Sequence, residues 1–323
     1  MILYQWRGAV RNFGDELNSL VWPQLLPGFF DSDPAALFLG IGSILDGRHR
    51  AEATKLVAGS GYGGYEARPT LDHRWIIHWV RGPHTARHLG LPPSLALGDP
   101  ASLLPLIGHG RAVSDGAIGF MPHFESMERG AWDVAARQAG VTLIDSRQDP
   151  LAVLSAIGRC RVLISEALHG VIVADALRVP WIAIRPLARV HRAKWNDWAA
   201  VLGIRIASRR LPPSSMLEWA GVSCLGTWHR GRDLLHHHRT RIRAACAEGF
   251  SDRAAAALTR IASHEPQLSG DSALHRSQLR MLDRVEALRR QPFRAVIEET
   301  VPPRNRSVLH AHEGFAYHHS SIG

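Results

Sequence analysis

The chain has 323 residues, 46% hydrophobic and 21% charged, a balance that excludes a disordered or fibrous polymer and sets a prior of about two globular domains. Its formal charge of +9 points to anionic partners: nucleic acid, anionic lipid or phosphorylated small molecules. Three scattered cysteines (Cys160, Cys224, Cys246) exclude a disulfide framework or cysteine metal cage and favour a reducing, cytoplasmic setting. The apolar runs Leu37 to Leu45 and Gly170 to Ile184 are too short or too interrupted to span a membrane. Arg7, Arg11, Asp15 and Glu16 near the start do not read as a signal peptide.

In chain order, a turn precedes a helix over Asp15 to Leu25, and apolar runs predict strands at Leu37 to Leu39 and Trp75 to Val80. Gly82 to Gly116 carries Pro83, Pro92, Pro93, Pro100 and Pro105, reads as loop, and holds a domain boundary near Leu106 to Arg111. Strands follow at Ala117 to Met121, Val141 to Ile144, Arg161 to Ser165 and Trp181 to Ile184. Helices between them run over Gly130 to Ala139, Asp149 to Ile157 (Asp149 as N-cap, Pro150 at the first turn) and His169 to Leu177. Buried strands alternating with helices imply parallel sheets, here as two Rossmann-like halves, 1–108 and 109–213, facing a cleft. Residues 214–323 read as a basic helical extension with helices over Trp228 to Ala247, Ser251 to His264 (Ser251 as cap) and Asp271 to Arg290. The tail from Pro302 reads as loosely ordered.

Parallel α/β sheets place ligands at strand-to-helix turns, and the chemically informative residues fall there. Asn12 to Asn18 (NFGDELN) combines a tight-turn glycine with Asp15, which on residue types alone reads as a turn and cap. Gly40 to Ser43 (GIGS) follows a strand directly, so Gly42 and Ser43 can offer donors to an anion, although P-loop and dinucleotide spacings are absent. Arg81 ends a strand beside Gly82 and is expected at the cleft edge, where a guanidinium suits phosphate or carboxylate; a surface ion pair is the competing reading. Asp99 lies in a Gly-Asp-Pro turn that can face the cleft. His169 begins a helix after the buried strand ending at Ser165, where the positive helix end favours a neutral imidazole suited to proton transfer. A lone helical histidine is more often a structural one.

Taken together these segments resemble the polysaccharide pyruvyl transferase family, and most of all the ketal-forming enzymes of bacterial exopolysaccharide synthesis. The ordered series is NFGDELN at Asn12 to Asn18, GIGS at Gly40 to Ser43, VRGPHT at Val80 to Thr85, GDPA at Gly98 to Ala101, Pro122-His123, and SEALHGVIVADALRVPWIAI from Ser165 to Ile184. The resemblance implies a GT-B-like fold and transfer of a pyruvyl group from phosphoenolpyruvate to a sugar of a lipid-linked oligosaccharide, without metal or other cofactor. It implies acid/base work for His169 and anion binding for Arg81, Gly42 and Ser43. Asn12, Asp15, Asp99 and His123 would line the cleft or orient the acceptor. Members often carry an arginine two residues before the motif histidine, where this chain has Ala167; Arg185, Arg189, Arg192 or Lys194 are the expected substitutes.

Trp195, Trp198, Trp219 and Trp228 include candidates for stacking on sugar, Trp195 being nearest the motifs, against core packing as the ordinary role of an indole. His236 to His238 lack partners for a metal tract and read as part of a solvated basic helix. Neither a recognised module nor basic–aromatic interleaving supports nucleic-acid binding. A nucleotide-sugar glycosyltransferase and a non-catalytic membrane-surface binding protein remain the alternatives. Arg230, Arg232, Arg239, Arg241 and Arg243 against Asp233 concentrate charge suited to the inner face of a membrane.

Overall fold

The computed structural model describes residues 1–110, 112–187, 189–223 and 247–293. The expected Trp228 to Ala247 helix, its arginines and histidines, and the tail from Pro302 lie outside these residues, but for Ala247 itself. Strand β1 (Ile2–Tyr4) leads through helix α1 (Phe13–Leu25) to β2 (Ala36–Leu39), β3 (Thr54–Ala58) and β4 (Trp75–Trp79), which form a parallel sheet in the order β1-β2-β3-β4. Helix α2 (Pro83–His88) and a 3-10 helix over Pro100–Ile107 follow. The second parallel sheet, in the order β6-β5-β7-β8, is built from β5 (Ala117–Met121), β6 (Thr142–Leu143), β7 (Cys160–Ser165) and β8 (Trp181–Ala183). Helices α3 (Phe124–Arg129), α4 (Trp132–Gln138), α5 (Pro150–Arg159) and α6 (Leu168–Ala176) connect them. Helices α7 (Ala193–Val201), α8 (Met216–Ser223), α9 (Ala247–Ala262) and α10 (Asp271–Arg290) complete the described chain.

The chain is therefore mixed α/β with two four-stranded parallel sheets. One continuous apolar core joins them: Leu17, Val21 and Trp22 of α1, Leu103 and Leu104 of the 3-10 helix, and Val171 and Ile172 of α6 pack between Phe38 and Leu56 of one sheet and Met121 and Leu163 of the other. β4 is an edge strand, yet all five of its residues, WIIHW, are buried, and helix α10 packs against it. The far face of the second sheet packs on α4 and α9 through Trp132, Ala135, Ala254 and Leu258. Helix α10 returns to β4 and the 3-10 helix, where Ser277 Oγ donates to Leu97 O and Gln278 Nε2 to Ser102 O.

Several expectations change. β1 and β3 were not read from the sequence, because β1 is three residues long and β3 carries Lys55. That lysine is 2% exposed, with its amine over the Trp75 ring and donating to Ala51 O. The links β2–β3 and β3–β4 contain no helix, so strand–helix alternation holds only in part. The proline-rich stretch is not simply loop, since Pro83 and Pro100 open helices at a position where a missing N–H costs nothing. Ser251 lies inside α9 rather than capping it, and Leu279 of α10 is exposed while Met281 is buried.

Candidate active site

A cavity of about 630 Å³ opens at the carboxyl ends of strands from both sheets. Residues following β1, β2, β3, β5, β7 and β8 all reach it, the placement expected for a ligand site in parallel α/β sheets. Asn12 and Asp15 line it from the start of α1, and Gly42 and Ser43 from the loop after β2. His123 follows β5, His169 follows β7, and Lys194 opens α7. Asn18 sets the relation between the first two segments. Its side-chain nitrogen donates to Asp15 O and Ile41 O, while its oxygen accepts from Ile41 N and Trp22 Nε1. The loop must then turn sharply, and Gly42 does so at φ +129°, a conformation that favours glycine.

His169 and Asp99 meet across the molecule. Nε2 of His169 lies 3.5 Å from Asp99 Oδ2, both atoms are buried, and neither has a hydrogen-bond partner among the described residues. The other Asp99 oxygen accepts from Ala101 N at the start of the 3-10 helix and so fixes the carboxylate. Nδ1 is left as the pocket-side nitrogen of His169, beside Gly14, where any Cβ would collide with the ring. Asp15 sits one residue on, with Asn12 Nδ2 donating to its Oδ2 at 2.6 Å. Burial holds the Asp15 carboxyl above the usual aspartate range, although His169, Asn12 and Lys194 oppose that shift. Burial also pushes the His123 imidazole well below its ordinary value, and the charges of His191, Lys194 and Arg129 add to this.

Other expected site residues lie elsewhere. Arg81 does not face the cleft edge. Its guanidinium is 0% exposed, with Nε donating to Asp197 Oδ2 at 3.3 Å and Nη1 to Ser43 Oγ at 2.8 Å. Asp197 also accepts from His84 N, Thr85 N and Thr85 Oγ1, so it caps α2 from α7. Asp99 stands behind His169 rather than in the wall, Trp195 is buried, and the exposed Arg185 and Arg189 are outside the cavity lining. Glu166, near the start of the family-like segment, accepts from His123 N and Leu187 N and so ties three loops together.

Sequence reasoning missed Trp6, Tyr65, Phe124, Glu125 and His191, all of which line the cavity. Trp6 and Phe124 form a ring pair at 6.2 Å, and Tyr65 donates or accepts at His191 Nδ1 over 2.9 Å. His191 Nε2 reaches Glu125 Oε2 at 3.3 Å. Burial works against charge on Glu125, but His191 and Arg129 hold its carboxyl below the usual range. His123, Glu125 and His191 together are a set of side chains able to hold a metal, where the sequence had suggested none. The one available signal was the H-x-E spacing of His123 and Glu125, too short to stand out.

The family model for polysaccharide pyruvyl transferases matches residues 65–186, the segment that carries β4, β5, β7 and the His169 turn. The succinoglycan biosynthesis protein ExoV of Rhizobium meliloti (strain 1021) is 35% identical over 316 residues, covering 90% of this chain and 99% of that protein. This chain belongs to the polysaccharide pyruvyl transferase family. The pocket thus brings together an imidazole 3.5 Å from a carboxylate, the buried acid Asp15, and Lys194, whose charge acts on that acid. No helix among the described residues is long and apolar enough to cross a membrane.

Proposed function

We propose that this chain transfers the pyruvyl group of phosphoenolpyruvate to two hydroxyls of one sugar in a lipid-linked oligosaccharide, forming a ketal during exopolysaccharide biosynthesis at the inner face of the cytoplasmic membrane. The His169–Asp99 pair opening beside Asp15 is the observation that carries this reading. The two sheets would then be the halves of a GT-B-like enzyme, with the reaction between them.

A sugar hydroxyl adds to C2 of the enol ether while C3 takes up a proton and becomes a methyl group. A second hydroxyl then attacks C2, its proton leaves, and the C2–O bond to phosphate breaks with the electron pair on phosphate. With Nε2–H directed at Asp99, His169 Nδ1 takes the hydroxyl proton, and the Asp99 carboxylate stabilises the imidazolium that forms. Asp15, whose carboxyl burial holds above the usual aspartate range, supplies the proton to C3. Lys194 attracts the donor's anionic groups, and Ser43, which accepts from Arg81, retains its own hydroxyl proton to donate. Trp6 and Phe124 offer ring faces to the sugar, with Glu66 and Glu128 as hydroxyl acceptors at the same cavity.

The test is incubation with phosphoenolpyruvate and oligosaccharide extracted from a strain lacking this protein. Release of one phosphate per ketal found by mass spectrometry supports the reading. Nucleotide release with hexose transfer from a nucleotide sugar would replace it with glycosyl transfer.

A further inference from the structure

Besides the acid/base pair, the cavity wall holds a second cluster. His123 after β5, Glu125 in α3 and His191 before α7 each offer one ligand atom, and these atoms lie within 4.8 Å of one another. We infer that His123, Glu125 and His191 form a binding site for a divalent transition ion of the zinc type, with an open coordination position towards the cavity.

The chemistry of the donor set supports this. Two imidazoles and one carboxylate suit zinc, cobalt or manganese, and three protein ligands leave a position for water or an anionic ligand. The partners are already arranged as a metal site needs them. With Nδ1–H of His191 donated to the Tyr65 oxygen at 2.9 Å, Nε2 presents its lone pair to the cluster, 3.3 Å from Glu125 Oε2. The backbone of His123 is fixed by its N–H to Glu166 Oε2, and its ring packs against that of His191 with centroids 4.3 Å apart. Arg129 Nη1 lies 3.8 Å from Glu125 Oε2 and is the cation an entering ion would displace.

Charge in the cavity gives the ion a purpose, one that rests on the phosphoenolpyruvate reading above. The lining includes the carboxyls of Asp15, Glu66, Glu125 and Glu128. Of the lining cations, Arg48 is held on both oxygens of Asp46 and Arg129 is on Glu125, so Lys194 faces a donor bearing both phosphate and carboxylate. A divalent ion at the His123 cluster adds positive charge where that donor would sit.

The experiment is titration of the chelator-stripped full chain with cobalt(II), followed by visible absorption and calorimetry without donor or acceptor. One cobalt per chain, with the absorption of a four- or five-coordinate site and displacement by zinc, is expected. Glu125→Gln and His191→Ala lose this signal, His169→Ala keeps it, and Tyr65→Phe weakens binding by about 10–100-fold. Glu125→Gln preserves side-chain shape and decides the matter if His191→Ala fails to fold, as judged by circular dichroism. Absence of stoichiometric binding, or cobalt retained by both ligand variants as it would be if held at His236 to His238, overturns the site. Because no substrate is present, loss of pyruvyl transfer cannot imitate loss of the metal, and a cobalt site in a chain inactive with phosphoenolpyruvate would refute only the donor reading.

Discussion

Gly14 leaves the space that the His169 ring fills, so the smallest residue in the site fixes where that ring sits. Gly14→Ala places a methyl group in that space and must displace the ring or shift α1. Overpacking of this kind costs about 1–3 kcal/mol. We expect a modest loss of thermal stability with a severe loss of turnover, and unchanged turnover would remove His169 Nδ1 from the reaction. His169→Ala should lower kcat by roughly 10²–10⁴-fold, the usual contribution of a positioned acid/base group. Asp99→Asn should act through the same histidine, so the double variant should be little worse than His169→Ala alone. If Asp15 is the proton donor proposed above, it sets the pH dependence. Its carboxyl is held above the usual range and is lost as a proton donor when pH rises through that raised value, so activity should fall on the alkaline side. Asp15→Asn should abolish transfer while raising the melting temperature on the alkaline side of that raised value, where the buried carboxyl must ionise.

At the scale of the elements, α2 and α7 are joined by a single carboxylate. Asp197 accepts two backbone N–H groups and the hydroxyl at the start of α2, and pairs with the fully buried Arg81. Asp197→Ala leaves that guanidinium buried without its counter-charge and should destabilise the fold by about 3–5 kcal/mol, read as a lower urea midpoint. This tie explains why Arg81 was legible as important yet misread in place: a strand-end arginine looks alike in sequence whether it faces a ligand or an aspartate 116 residues away. Local signals fared better. Ala117–Met121 and Asp271–Arg290 were readable to the residue from apolar run and helical spacing, and Asp149 does cap α5 by accepting from Leu151 N and Ala152 N. β3 was hidden because its buried lysine is stabilised by a tryptophan from the next strand, a contact no local pattern shows. Glu218 of α8 is a similar buried charge. Burial and the neighbouring Glu166 push its carboxyl up to about 7, against the donors Ser214 N and Trp132 Nε1. Its folded value therefore exceeds its unfolded one, so the stabilising proton is fully effective at acid pH and is lost as pH rises through about 7. Melting temperature should decline from pH 5 to pH 8, and Glu218→Gln should flatten that decline.

Across the whole molecule the site is a product of long-range closure. Asp99 and His169 were each legible as turn residues, but their pairing depends on the 3-10 helix packing against α6 inside the shared core. His191 meets Glu125 for the same reason, through loops from separate strands of one sheet. The net charge belongs to this scale as well. Residues 228–243 hold five arginines against one aspartate, while the cavity lining sets four carboxyls against Arg48, Arg129 and Lys194. The excess charge is therefore suited to a surface rather than to the donor. An arginine near an anionic membrane contributes about 1 kcal/mol, so five acting together shift partitioning by roughly three to four orders of magnitude at low salt. Replacing Arg230, Arg232, Arg239, Arg241 and Arg243 with glutamine should abolish co-sedimentation with anionic vesicles and leave the weaker association with zwitterionic vesicles unchanged. Added salt should release the unmodified chain from anionic vesicles, because the attraction is screened within a Debye length. Turnover on a water-soluble acceptor should survive the substitutions, while turnover on acceptor embedded in anionic vesicles should fall. Equal vesicle binding by both chains would assign the charge to something other than a membrane.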